Sequence, residues 1–109
     1  MPPLNLTGKL VVVTGASSGL GREIALSLAR DERAHLVLAA RRRDRLEEVR
    51  AQIESQCPSR AHVVVVDLAD EEAADTLFRC STAIGEVAAV VNCAGMTFYV
   101  SSTRFSTKC

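Results

Sequence analysis

Four short apolar runs, from Leu10 to Thr14, Leu36 to Ala40, His62 to Asp67 and Val87 to Asn92, recur along the chain. Each is continuous rather than alternating, the pattern of a strand buried on both faces of a parallel sheet. Between them the apolar residues return every three or four positions, which predicts three amphipathic helices. Ile24 and Leu28 with the small Ala25 and Ala29 mark the first, which opens near Arg22; Leu46, Val49 and Ile53 mark the second; Ala73, Ala74, Leu77 and Phe78 mark the third. Pro58, flanked by Cys57 and Ser59, ends the second helix, because proline cannot continue the backbone ladder. Strands alternating with helices imply an α/β fold, and right-handed crossovers then order about four parallel strands 3-2-1-4.

The turn after the first strand, Thr14-Gly15-Ala16-Ser17-Ser18-Gly19-Leu20-Gly21, carries the most chemistry. Glycine permits positive φ and close approach of a ligand to the backbone, while the free N–H groups and positive dipole end of the following helix attract a phosphate. A strand, a phosphate-cradling turn and a helix in this order predict a dinucleotide as ligand and a partial Rossmann-like sheet. The rival phosphate loop, G-x-x-x-x-G-K-[ST], is absent, since Arg22 follows Gly21.

Composition narrows the classes. The 109 residues, 48% apolar and 24% charged, suit one globular domain. Thirteen basic residues balance thirteen acidic ones, so the overall positive charge that non-specific nucleic-acid binding needs is missing. No apolar stretch reaches the roughly 20 residues of a membrane span, and Met1-Pro2-Pro3 opens no signal peptide. Cys57, Cys80, Cys93 and Cys109 form no C-x-x-C pair and are accompanied by two histidines, so neither a zinc site nor a disulfide framework is expected. A cytoplasmic protein with reduced thiols fits these features. His35 and His62 open strands and read as satisfied edge residues rather than as ligands or bases.

Thr14-Gly15-x-x-x-Gly19-x-Gly21 resembles the cofactor fingerprint of the short-chain dehydrogenase/reductase family. Gly8-Lys9 before the first strand, Arg41-Arg42 after the second, Asp67-Leu68 ending the third and Asn92-Cys93-Ala94-Gly95 ending the fourth extend the resemblance over residues 6–99. Two departures stand out. The usual Asn-Asn-Ala-Gly has Cys93 at its second position, and the glycine often found before the second strand is missing from Asp31-Glu32-Arg33-Ala34. The resemblance implies a nicotinamide cofactor cradled by Thr14, Gly15, Ser17, Ser18, Gly19, Leu20 and Gly21. It further implies Asp67 on the adenine amine, the Leu68 N–H on the adenine ring, and Asn92, Ala94 and Gly95 beside the adenosine ribose.

The end of the second strand bears on which nicotinamide cofactor is bound, because NAD users place an acid on the ribose hydroxyls there and NADP users a basic group on the 2′-phosphate. Ala40 is followed by Arg41, whose planar fork suits a phosphate, with Arg42 able to assist. NADP(H) is therefore expected over NAD(H). Arg43 and Arg45 read instead as a solvated helix start, with Arg43 paired to Glu47.

In the family, hydride transfer between the nicotinamide and a carbonyl or alcohol is assisted by a tyrosine acid, a lysine four residues later and a serine. Tyr99 is the only tyrosine, Thr103 lies four residues on, and the lysines are Lys9 and Lys108, so no Tyr-x-x-x-Lys exists and no catalytic residue is assigned. The Ser- and Thr-rich stretch over residues 100–109 loses all period and reads as a disordered or aberrant tail. The expectation is the NADP(H)-binding N-terminal part of an oxidoreductase, shortened and inactive by itself. The alternative is a non-catalytic nucleotide-binding or interaction module. An apolar fourth strand lacking a fifth would favour association with a second copy or a full-length relative.

Overall fold

The computed structural model describes residues 7–17, 19–67 and 69–93. Within them the alternating pattern becomes β1 (Leu10–Thr14), α1 (Gly19–Asp31), β2 (His35–Ala40), α2 (Arg43–Gln56), β3 (Ala61–Val65), α3 (Ala73–Ile84) and β4 (Val87–Asn92). All strand pairs are parallel, and the sheet runs β3-β2-β1-β4. This is the expected order, a Rossmann-like arrangement in which the chain winds first one way from β1 and then the other.

The reversal gives the sheet two different covers. Ala25 and Ala29 of α1 and Leu46, Val49 and Ile53 of α2 pack with Val11, Val13, Leu36 and Leu38 on one face. On the other, Ala73 and Leu77 of α3 pack with Leu10, Val12, Val37, Val64 and Val87. β1 is buried throughout and β2 at every position after His35, as their continuous apolar runs require. β3 and β4 depart from that expectation: β4 alternates buried and half-buried positions, and Val65 of β3 is exposed. Each is an outer strand with a single strand neighbour among the described residues, so its far side lacks the flanking cover the central pair enjoys.

Several boundaries also move. β2 begins one residue earlier than expected, at His35, and β3 spans Ala61–Val65, leaving Val66 and Asp67 beyond its end. α1 starts at Gly19, ahead of Arg22; α3 starts at Ala73, the first of its expected apolar residues, and the residues before it close a turn in which the Ala73 N–H donates to the Asp70 carbonyl at 3.2 Å. Ala74 is exposed. The histidines behave as edge residues: the Arg60 N–H donates to His35 Nδ1 at 2.9 Å. Burial, with the nearby Arg50, pushes the His62 imidazole below its usual range. Residues 94–109, and with them the supposed tail and Tyr99, lie outside the described residues, as does residue 6 at the start of the expected domain.

The glycine missing before the second strand has a visible consequence. Arg33 takes its place in the left-handed region, at φ +54°, so that the chain can leave α1 and the Ala34 N–H can return to the Leu28 carbonyl at 3.2 Å. A side chain in this conformation costs about 1–2 kcal/mol, partly offset by glycine's greater freedom when unfolded. Arg33→Gly should therefore stabilise the chain by up to about 1 kcal/mol, read as a higher urea midpoint, whereas Arg33→Val should lower it.

A second local conflict lies in α3. Ser81 is 1% exposed and its hydroxyl has no hydrogen-bond partner among the described residues. An orphaned buried hydroxyl costs about 1–3 kcal/mol. Ser81→Ala keeps the helix, removes the orphan and should raise the unfolding free energy by about 1 kcal/mol in the same titration.

Candidate functional site

Parallel strands deliver their carboxyl ends to one edge of the sheet, and in doubly wound sheets ligands bind at that edge where the winding reverses, here between β1 and β4. Thr14, the last residue of β1, stands opposite Ala39 of β2 on one side and Asn92 of β4 on the other. Its buried hydroxyl donates to Asn92 Oδ1 at 2.8 Å and accepts from the Cys93 N–H at 3.2 Å, tying the two strand ends together. Cys93, at the position where the resemblance leads one to expect a second asparagine, uses its backbone for this contact. Burial pushes its thiol up, so it stays protonated near neutral pH.

The glycine-rich turn leaves β1 directly above this point. Gly15 and Gly19 lie in the left-handed region, at φ +66° and +56°, and the Ala16 N–H donates to the Ala39 carbonyl at 3.3 Å, anchoring the turn to β2. Gly21 is buried against the start of the turn. A Cβ there would collide with the Gly15 carbonyl oxygen and lie 2.7 Å from its carbon, so only glycine lets α1 enter at this angle. The first turn of α1 holds no acidic residue, which leaves its positive end uncompensated, whereas α2 and α3 have Asp44 and Asp75 there. Ser17 is half-buried, Gly19 and Leu20 are exposed at the helix start, and Ser18 lies outside the described residues.

On the β2 side, Ala40 is paired with Val65, and the chain continues into exposed Arg41 and Arg42. Among the described residues Arg41 makes no ion pair. Arg42 occupies the N-cap of α2 and lies 3.5 Å from the Asp44 carboxylate; Arg43 pairs with Glu47 at 3.7 Å, as its spacing suggested. Asp67 is exposed two residues past β3, where its Oδ1 accepts from the Ala69 N–H at 3.0 Å and its carbonyl from the Asp70 N–H at 2.9 Å. That carboxylate shapes the turn ahead of α3 rather than capping the helix. Leu68, Ala94 and Gly95 lie outside the described residues. Thr14, the glycine turn, the Arg41-Arg42 pair, Asp67 and Asn92 thus all stand at the carboxyl edge of the sheet.

Two features escape sequence reasoning. The Thr14–Asn92 bond joins residues 78 apart, with no local pattern to announce it. The Arg42–Asp44 contact had a signal, an acid in the first turn of a helix, hidden within a run of arginines.

A doubly wound parallel sheet with a glycine turn at its point of reversal is the architecture of a nucleotide-binding α/β protein. The sequence matches the short chain dehydrogenase family over residues 9–108, and the chain belongs to that family. It is 39% identical over 102 residues to the glycine betaine reductase ATRR of Emericella nidulans, covering 91% of this chain and 8% of that protein. It is 35% identical over 100 residues to the 3-ketodihydrosphingosine reductase of Bos taurus, covering 87% of this chain and 30% of that one. Among solved structures, the L-sorbose reductase of Gluconobacter frateurii, complexed with NADPH and L-sorbose, superposes with a TM-score of 0.75 at 36% identity. That match covers 84% of this chain and 36% of the other. A 3-oxoacyl (acyl-carrier-protein) reductase from Agrobacterium tumefaciens with NADP bound also gives 0.75, at 30% identity, over 83% of this chain and 34% of its own. The chain thus spans between about a twelfth and two fifths of the length of such relatives.

The contact at Gly21 makes a direct prediction. Gly21→Ala should cost about 3 kcal/mol or more, because the atom it meets is backbone and cannot step aside, and should appear as a large drop in the urea midpoint. Leu20→Ala, at a side chain 54% exposed, should leave that midpoint almost unchanged.

Proposed function

We propose that this chain binds NADP(H) at the carboxyl edge of its sheet and forms the cofactor-holding part of a carbonyl or alcohol oxidoreductase. The observation that carries the reading is the juxtaposition of a turn closed by Gly21 against Gly15, an acid-free helix start and the exposed Arg41 just past the neighbouring strand, which makes no ion pair among the described residues. The turn and the α1 N-terminus suit a pyrophosphate, since backbone N–H groups and the helix dipole both favour an anion there. Arg41 suits the 2′-phosphate that distinguishes NADP from NAD, and no carboxylate occupies its own position at the strand end to repel it. The bound NADPH and NADP of the two similar structures support the same choice.

The remaining assignments are part of this proposal. Thr14, Ser17, Ser18, Gly19 and Leu20 complete the pyrophosphate turn; Asp67 and Leu68 face the adenine; Asn92, Ala94 and Gly95 flank the ribose. Residues 6–99 act as one nucleotide-binding unit. When bound, the nicotinamide would supply or accept the hydride. The 109 residues contain no Tyr-x-x-x-Lys to deliver the matching proton, so the chain's own residues bind and orient the cofactor and do not themselves complete a reduction.

Titration of the 109-residue chain with NADPH and NADH, followed by nucleotide fluorescence or calorimetry, tests the reading. NADPH should bind more tightly than NADH. Arg41→Asp should weaken NADPH by about 10- to 100-fold, the loss of a charge-assisted phosphate contact, while leaving NADH nearly unaffected. An Arg41→Asp chain that holds NADPH as tightly as the parent would remove the proposal's main support.

A further inference from the structure

We propose that Asp44 is a specificity-determining residue which restrains the arginine pair by competing with a 2′-phosphate for Arg42. The inference rests on the nucleotide site proposed above and adds to it a residue that lowers affinity and selectivity for 2′-phosphorylated nucleotides. Its basis is an asymmetry in how the arginines after β2 are employed. Arg43 is held by Glu47, and Arg42 Nη2 lies 3.5 Å from Asp44 Oδ2, while Arg41 has no carboxylate partner among the described residues. Arg42 is at the N-cap of α2 in extended geometry and offers no side-chain acceptor to the helix; Asp44, in the first turn, is the anion there.

Asp44 is well placed for this role. Desolvation works against its charge, but the Arg45 backbone N–H, the Arg42 guanidinium and its own N–H outweigh that effect and hold its carboxyl below the usual carboxylate range. It therefore carries its charge at neutral pH, where a 2′-phosphate is charged as well. A phosphate approaching Arg41 from the end of β2 meets two obstacles in Asp44: Arg42 is already engaged, and a like charge stands within reach of the same guanidinium. The restraint is soft. Both side chains are well exposed, 60% for Arg42 and 71% for Asp44, and such pairs are weak and screened by salt, so Arg42 can exchange the carboxylate for a more highly charged phosphate. A nucleotide lacking the 2′-phosphate makes no such exchange.

The test is Asp44→Asn in the full 109-residue chain, titrated with NADPH and NADH at low and moderate salt. NADPH should bind about three- to tenfold more tightly, a change of roughly half to one decade in Kd, with NADH unchanged and the gain shrinking as salt rises. In an Arg42→Gln background the same substitution should lose most of its effect. Asp75→Asn, which removes an equal charge from the Arg79 pair on α3, should have none. Asp44→Ser, which keeps a residue favourable to a helix start, should reproduce the gain and guards against a folding artefact in the asparagine variant. An unchanged NADPH-to-NADH ratio in both Asp44 variants would overturn the inference while leaving the nucleotide site intact, as would an equal gain with and without Arg42. A parent chain that binds neither nucleotide would overturn the site itself, and this inference with it.

Discussion

The contact between Gly21 and the Gly15 carbonyl decides how α1 meets the sheet, and most of the architecture follows from that meeting. The row of α1 that faces inward is Gly21, Ala25 and Ala29, one small residue per turn. Such a row contributes little apolar area, so its value lies in close approach rather than in burial. It sets the axis of α1 low over β1 and β2, turns the helix start toward the strand ends and fixes the width of the turn between. A side chain at the head of the row would push against backbone that is itself anchored to β2 through Ala16, so a displacement at one point would pass to the whole turn. The fully buried bulk of that face comes from Leu46, Val49 and Ile53 of α2, with Ile24, Leu26 and Leu28 of α1 packed partly buried at its side.

The same economy of contacts holds at the strand ends. Parallel sheets hold their neighbours through evenly slanted backbone bonds that stop where the strands stop, so the ends of β1 and β4 need another tie. Thr14 provides it with a single hydroxyl that donates to one side chain and accepts from one backbone N–H. A threonine at the end of a buried strand is otherwise an awkward choice, since valine would fill the space without a polar atom to satisfy. Its use here places the polar atom between the Asn92 side chain and the Cys93 N–H, at the point where the winding reverses.

Much of this was legible in the chain because the relevant signals are local. The apolar runs gave four strands in the right order; β1 and β4 kept their expected bounds, while β2 and β3 shifted by one or two residues at their ends. Strand ends are set by hydrogen bonds to a neighbour rather than by hydropathy, which is why Val66 and Asp67 looked like strand and lie beyond it. Uniform burial was read correctly for β1 and β2 and wrongly for β3 and β4, because a valine run cannot report whether another strand will stand beside it. The glycine turn was visible as a motif; that Gly21 in particular is sterically required became visible only with the Gly15 carbonyl beside it. Arg33 shows the opposite case, in which a missing glycine did not change the path of the chain: the backbone kept the left-handed step and placed an arginine in it. Thr14 with Asn92, and Arg42 with Asp44, needed coordinates because each depends on side-chain direction.

The relatives clarify what kind of information this segment holds. Reductases named for glycine betaine, for 3-ketodihydrosphingosine and for L-sorbose share 35–39% identity with it, although their names describe compounds with little in common. What they share with this chain is a family and a fold rather than one named compound. In a doubly wound fold ligands bind outside the carboxyl ends of the strands, near the turn after the first strand and the residues that follow the second. Here the glycine turn and the residues that follow the second strand fall between Thr14 and Asp44. Within that span the glycine turn is governed by backbone geometry, since a side chain at Gly21 would meet the Gly15 carbonyl. After the second strand come the exposed charges of Arg41, Arg42 and Asp44, which can be exchanged at little structural cost. A turn that packing holds to glycine thus stands beside a short run of charged side chains that packing does not constrain.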